Sequence, residues 1–445
     1  MSIYRSVSTP DIREQMRRQA LTIFDYALAE CSVSRAFARN ISYSDSMLTI
    51  GNETYNLSDT PQPIVVSIGK AGHSMAEVLS QIVTVPVRGI ISSPSPQTAP
   101  VAGIQYFTGG HPMPNEDSLR AGSEILRQLQ DLRGGELVLF LISGGASAIA
   151  ESPLDQALTL ADIVETYRVL VHSGAPIAEI NAIRKHLSAI KGGRMAQAAY
   201  PARQHSLLVS DVPDHVLDAL ASGPTIPDST TAAQCYDIAD QHGMLQHFPG
   251  RVRRLFLERK LVETPKPGDP VFAKSCFTTM LSNHTAVTAA VERADSLGFA
   301  VEIDNHCDDW DYAKAADYLL ARLRDLRRFA PRVCLISGGE VTVRVGAWAG
   351  NGGRNQQFAL YCATRIDGEP ITVLSAGTDG VDGNSTAAGA VVDGTTVARA
   401  RQPEENAAHA LAEFNTAPLL EKIGDAIITG PTGNNVRDLR ILLAY

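Results

Sequence analysis

Apolar residues at Ile12, Met16, Ala20, Ile23, Phe24 and Ala27 recur at helical spacing, so the pattern predicts an opening amphipathic helix with Arg on its outer face. Short, wholly apolar runs follow, and each stops at a polar or glycine-rich turn. Ile64 to Ile68 leads into Gly69-Lys70-Ala71-Gly72 and a helix beginning near His73. Gly89 to Ser92 is the next strand, Leu137 to Ile142 breaks at Ser143-Gly144-Gly145-Ala146-Ser147, and Ser206 to Val209 ends at Ser210-Asp211. Apolar runs of this kind, alternating with helical stretches, are those of strands buried on both faces. They predict an α/β fold with a mostly parallel sheet, whose ligands bind beyond the carboxyl ends of the strands.

The polar stretch Val262 to Ala273 contains Pro265, Pro267, Gly268 and Pro270, and the main boundary is placed there, between domains 1–262 and 263–445. The second, smaller domain opens with the apolar-polar pattern of Cys276 to Leu281 and continues through strands at Val341 to Val345 and Ile371 to Leu374. The final residues are open to return to the first domain. Leu141-Ile142-Ser143-Gly144-Gly145 is echoed by Leu335-Ile336-Ser337-Gly338-Gly339, each time after a buried run. Both turns are expected to expose backbone N–H groups where glycine lets an anion approach.

At 445 residues the chain exceeds one ordinary core, which agrees with two domains. A net charge of -9 argues against a nucleic-acid partner, because phosphate backbones are held by clustered Lys and Arg. The six cysteines show no C-x-x-C pair and read as reduced core thiols rather than a zinc site. The N-terminus lacks the apolar core of a secretory signal, and no run approaches the roughly 20 apolar residues of a membrane span. A cytoplasmic location with no membrane partner is therefore expected, while a homodimer stays open.

Against this acidic background the local cations stand out. Lys70 sits in the first strand-to-helix turn, where a helix N-terminus already favours phosphate, although a solvated surface Lys fits the turn equally well. The loop Gly109-Gly110-His111-Pro112 precedes a helix near Ser118 that Asn115 or Asp117 would cap, and His111 reads as structural rather than as a base. Asn181 to Arg194 carries Arg184, Lys185, Lys191 and Arg194 ahead of or beside Gly192-Gly193, a set suited to phosphate or carboxylate oxygens. Asp211, just beyond a strand and followed by Ser222-Gly223, suits a magnesium ligand or a base that accepts a hydroxyl proton. In the second half, Gly338-Gly339-Glu340 precedes Gly352-Gly353-Arg354-Asn355, where an Arg ahead of a helix suits charge on a transferring phosphoryl group. Asp379 and Asp382 follow the run Ile371 to Leu374, a spacing that suits a turn-bound cation.

Taken in order from Val65 to Leu439, these segments together with Thr429 to Asn435 resemble the glycerate 2-kinase family, also known by an older hydroxypyruvate reductase label and for its C-terminal MOFRL domain. The resemblance implies a Rossmann-like N-terminal domain, a smaller α/β C-terminal domain and an active site in the cleft between them. It implies ATP and Mg²⁺ as cosubstrates, D-glycerate as the small-molecule acceptor and 2-phosphoglycerate as product. The family's functional Lys falls on Lys70 and its functional Arg on Arg354. In this reading these two and Asp211 are catalytic, and Asp211 and Asp379 are the metal candidates. Arg184, Lys185, Ser147, Asn355 and Asp379 hold substrate; Gly144, Gly145, Lys191, Ser222, Gly223, Glu340, Gly338 and Gly339 hold the nucleotide. Ala146, Thr386, Asn434 and Arg437 depart from the family pattern, and Arg437 suits an extra hydroxyl or acid group on a larger sugar acid. A nicotinamide-dependent hydroxypyruvate reductase is the rival, but no strand-turn-helix with G-x-G-x-x-G occurs.

Overall fold

The structure is a computed structural model that describes residues 12–97, 100–346, 350–401 and 406–445. Its chain divides into two units. The central unit is Val33–Leu281, and the terminal unit joins the N-terminal stretch up to Ser32 to Ser282–Tyr445.

The central unit begins with an antiparallel meander, β1 (Ile41–Ser44), β2 (Met47–Ile50) and β3 (Glu53–Asn56). A six-stranded sheet follows, from β4 (Ile64–Ile68), β5 (Arg88–Ser93), β6 (Ile104–Thr108), β7 (Leu137–Ser143), β8 (Arg203–Val209) and β9 (Ser275–Leu281). Every neighbouring pair is parallel, in the order β6-β5-β4-β7-β8-β9. β4 and β7 are buried at every position, as strands covered on both faces must be. Counted from β4 the order is 3-2-1-4-5-6, that of doubly wound nucleotide-binding sheets. Its topological switch, where the chain leaves a crevice at the strand ends, lies between β4 and β7.

The terminal unit holds β10 (Ala300–Ile303), β11 (Val333–Gly338), β12 (Ile371–Gly377), β13 (Gly389–Asp393), β14 (Ala426–Ile427) and β15 (Asp438–Ala444). Their order is β10-β11-β15-β12-β13-β14, and only β10 and β11 run parallel. The parallel expectation therefore holds for the central sheet alone. Helix Ile12–Glu30 lays Met16, Ala20, Ile23, Phe24 and Ala27 into the same buried cluster as Val287, Leu374, Ile441 and Leu443. Arg17 on its flank donates to Asp393 at 3.1 Å and Asp425 at 2.7 Å.

Three expectations of domain layout change. The opening helix packs with the terminal unit, and the closing residues form the middle strand of that unit's sheet rather than returning to the first domain. The boundary lies at Leu281 instead of 262, because β9 completes the central sheet against β8. The Pro-rich stretch before it is packed rather than free: Arg194 donates to the carbonyls of Val262 and Glu263, and Thr264 donates to buried Asp228. Residues 341–345 form no strand; Thr342 makes only an isolated bridge to Asp311. Among the described residues all cysteines are free thiols, and no helix is long and apolar enough to cross a membrane.

Candidate active site

In the central unit the turns after β4 and β7 are stitched together at the switch point. Lys70 N donates to Gly144 O at 2.9 Å, and Ala71 N donates to Ser143 Oγ at 3.0 Å. Gly144 lets the Asp211 carboxylate lie directly on the turn, since a Cβ there would stand 2.0 Å from Asp211 Oδ2. Gly145, at φ +81°, is crossed by His111 and Lys70, whose Cδ2 and Cγ would stand 2.9 and 3.2 Å from a Cβ. Lys70, His111 and Asp211 thus surround one glycine pair. Lys70 is exposed and has no carboxylate partner among the described residues. Partial burial first, and the Lys70 charge second, hold the His111 pKa below the ordinary imidazole value. His111 is therefore a neutral neighbour of Lys70 around neutral pH.

A second group adjoins these turns. Ser147, in the short helix Ala146–Ile149 that follows β7, lies 3.0 Å from Ser222 Oγ, and Ser222 donates to Asn181 Oδ1 at 3.3 Å. Ala221, Ser222 and Gly223 all have φ between +55° and +60°. Two successive non-glycine residues in that region cost about 1–3 kcal/mol each, a strain that the surrounding structure must hold in place. The Gly192 and Gly193 N–H groups do so, donating to the carbonyls of Ser222 and Gly223. On helix Ile177–Leu187, one turn on from Asn181, Arg184 stacks its guanidinium 4.4 Å from the Tyr167 ring centre. Arg184 is half-buried, its Nε has no acceptor, and no carboxylate pairs with it among the described residues.

The neighbouring cations differ. Lys185 is 2% exposed and donates to Asp228 at 3.1 Å and Asp218 at 2.9 Å. Lys191 is equally enclosed and donates to buried Glu151, which also accepts from Tyr167 and Ser188. Burial pulls the Lys191 pKa down while Glu151 pulls it back up. Lys185 and Lys191 are therefore partners in internal ion pairs.

In the terminal unit a cavity of about 670 Å³ is lined by Glu340, Arg354, Asp379 and Asp382 together with valines and Phe414. Arg354 is the first residue of helix Arg354–Arg365. Its Nε and Nη2 donate to Asp438 at 2.6 and 3.0 Å, and Nη2 pairs with Glu340 Oε1 at 2.8 Å. Burial works against the Arg354 charge, but Asp438 and Glu340 prevail and hold its pKa above the ordinary guanidinium value. Asp382 caps the same helix, accepting from Asn355 N at 3.1 Å and Gln356 N at 2.8 Å. Burial pushes the Asp382 carboxyl up to about 7; those N–H groups pull it down, Asp438 adds to the rise and Arg354 opposes it.

Several expected contacts in this unit are occupied internally. Asn355 is buried, with its amide donating to Asp382 and its carbonyl accepting from Ser375. In the Gly338-Gly339-Glu340 turn two of the three amides are occupied internally: Gly338 N donates to Asn305 and Glu340 N to Asp308. Glu340 itself faces Arg354. Arg437, at φ +71°, is 5% exposed and forms a two-pronged pair with Asp308 at 2.6 and 2.7 Å, so it does not reach for a larger acid. Asp211 and Asp379, the two metal candidates, belong to different units. Among the described residues no three His, Cys, Asp or Glu side chains cluster as a metal site.

Sequence reasoning missed Asp438, Glu151, Tyr167 and Asp308, and it noticed Asp228 beyond a strand without its partner Lys185. All five meet a cation on another segment of the chain, which only the tertiary fold brings near. Asp438 carried one usable signal: it opens an apolar strand whose alternation sets Asp438, Arg440 and Leu442 on one face.

Compared with known proteins, residues 19–257 match the family model described as "Domain of unknown function (DUF4147)", and residues 333–438 match the MOFRL family. A D-glycerate 2-kinase of Thermotoga maritima is 34% identical over 87% of this chain and 92% of its own length. A protein of Agrobacterium vitis, provisionally named hydroxypyruvate reductase, is 34% identical over 92% of this chain and 93% of its own. The crystal structure of a glycerate kinase from Thermotoga maritima superposes with a TM-score of 0.84 at 31% identity, covering 97% of this chain and all of that one.

Proposed function

Because this chain belongs to the glycerate 2-kinase family, we propose that it transfers the γ-phosphoryl group of ATP to the 2-hydroxyl of D-glycerate. The observation that carries this reading is Lys70: an exposed ammonium without a carboxylate partner among the described residues, fixed by its backbone to the Gly144 turn at the switch point of a nucleotide-binding strand order. A point charge there suits a phosphate, and in phosphoryl transfer positioning and charge stabilisation do most of the work. Lys70 in the central unit and Arg354 in the terminal unit are the two cations proposed to act on the phosphoryl group, and each is tested by its own variant.

Arg184 takes the acceptor carboxylate, since a half-buried guanidinium held on an aromatic ring, with no ion-pair partner among the described residues, is left to pair with an incoming anion. Ser147 and Ser222 offer hydroxyls beside it. Asp211, packed against Gly144, serves the hydroxyl proton or, with Asp379 as the second candidate, a magnesium ion. When bound, that ion neutralises charge on the phosphates. The reductase reading finds no support in the first turn of the sheet, where Gly69-Lys70-Ala71-Gly72 lacks the glycine spacing of a dinucleotide fingerprint. Incubation with ATP, magnesium and D-glycerate is expected to release ADP and form 2-phosphoglycerate. Oxidation of NADH with hydroxypyruvate, and no ADP release, would overturn it.

A further inference from the structure

Arg354 is held by more than a helix terminus requires. Asp438 opens β15, and strand alternation turns its side chain toward the face that packs on helix Arg354–Arg365, where Arg440 lies over Phe358. Its carboxylate meets the Arg354 guanidinium fork to fork through Nε and Nη2, and Glu340 Oε1 stands 2.8 Å from Nη2 as a second ion pair. A guanidinium has five N–H donors. Nε and Nη2 face these two carboxylates, and Nη1 has no acceptor among the described residues, on a side chain that lines the cavity.

The approach of β15 to this point is itself clamped. Arg437 is locked on Asp308, Asp308 also accepts from Glu340 N, and Asn283 donates to the carbonyls of Val436 and Asp438. Both carboxylates that grip Arg354 are thus fixed by one network. Two carboxylates weaken the field that Arg354 presents to a phosphate, so their contribution is direction rather than attraction. A buried pair kept for stability alone would gain little from this arrangement, since replacing such pairs by apolar groups is often neutral or stabilising.

We propose that Asp438 and Glu340 are positioning residues that fix the Arg354 guanidinium with its Nη1 edge presented to the transferring phosphoryl group; this rests on the reading that Arg354 contacts that group. Removing either leaves the cation in place but loosens its aim. Asp438→Asn is expected to lower kcat roughly tenfold or more while the KM for ATP stays level or falls, the signature of an interaction made in the transition state. Asp438→Glu recovers part of that loss. In an Arg354→Ala background, Asp438→Asn adds no further loss, because the two residues act as one unit.

The test measures kcat and both KM values for Arg354→Ala, Asp438→Asn, Glu340→Gln and the double variant, each checked for cooperative unfolding. Glu340 is partly exposed, so Glu340→Gln keeps the question open to measurement even if the Asp438 variants fail to fold, and it is expected to lower kcat several-fold. Full turnover in Arg354→Ala would overturn the phosphoryl-contact reading on which the proposal rests. Loss of turnover in Arg354→Ala, together with wild-type kcat in Glu340→Gln and in every folded Asp438 variant, would overturn the positioning role alone. Independent, additive losses in the double variant would also overturn it.

Discussion

Burial sorts the cations between Arg184 and Lys191 into two kinds. Lys185 and Lys191 are enclosed, and a charge removed from water must be paired, so Asp228 and Glu151 are structural necessities. Asp228→Asn leaves Lys185 with only the more exposed Asp218 and should destabilise the central unit by about 3 kcal/mol, read as a lower urea midpoint. Burial would raise the Asp228 pKa, but Lys185 and the Thr230 and Thr264 hydroxyls bring it below the ordinary value. Its contribution is therefore complete above pH 3.8 and is lost as the pH falls through the still lower folded value, so Asp228→Asn should weaken the acid dependence of stability below pH 4. Asp382 has the opposite sign. With its folded pKa raised to about 7, the protonated form favours folding below pH 3.8 and the benefit disappears as the pH rises toward 7. The stability of the wild type relative to Asp382→Asn should accordingly be greater at pH 5 than at pH 8 in paired urea titrations.

Helix Ile12–Glu30 shows how an element can be plain in sequence while its partner is hidden. Its apolar stripe was legible from spacing, and Met16, Ala20, Ile23, Phe24 and Ala27 are all buried. That it packs with the terminal unit was not legible, because one amphipathic stripe fits any apolar surface of matching shape. Phe24→Ala should cost about 3–5 kcal/mol. The loss should appear in hydrogen exchange as weaker protection of β12 and β15, with β4 and β7 unchanged. The four inner strands of the central sheet, β5, β4, β7 and β8, were read correctly for a physical reason: parallel strands buried on both faces leave uninterrupted apolar runs. The edge strands are partly exposed, and of these β6 was not read and β9 was placed in the second domain. The Val341 to Val345 pattern misled because alternation alone provides no neighbouring strand to pair with, and here only Thr342 makes a bridge.

For the molecule as a whole, the family, the α/β class and the turns at the strand ends could be read from the chain, since each rests on local sequence. Partner choice could not. Lys185, Lys191, Asn355 and Arg437 were read as ligand contacts because a charged or amide side chain looks alike whether it faces a ligand or a buried carboxylate; the structure gives each an internal partner. Lys70 has no carboxylate partner among the described residues, and the account depends on it. The most direct test is glycerate-dependent ADP release by Lys70→Ala, with far-UV circular dichroism and urea unfolding as controls. The account predicts a folded protein whose turnover falls on the order of a hundredfold or more; a folded Lys70→Ala protein with wild-type turnover would contradict it.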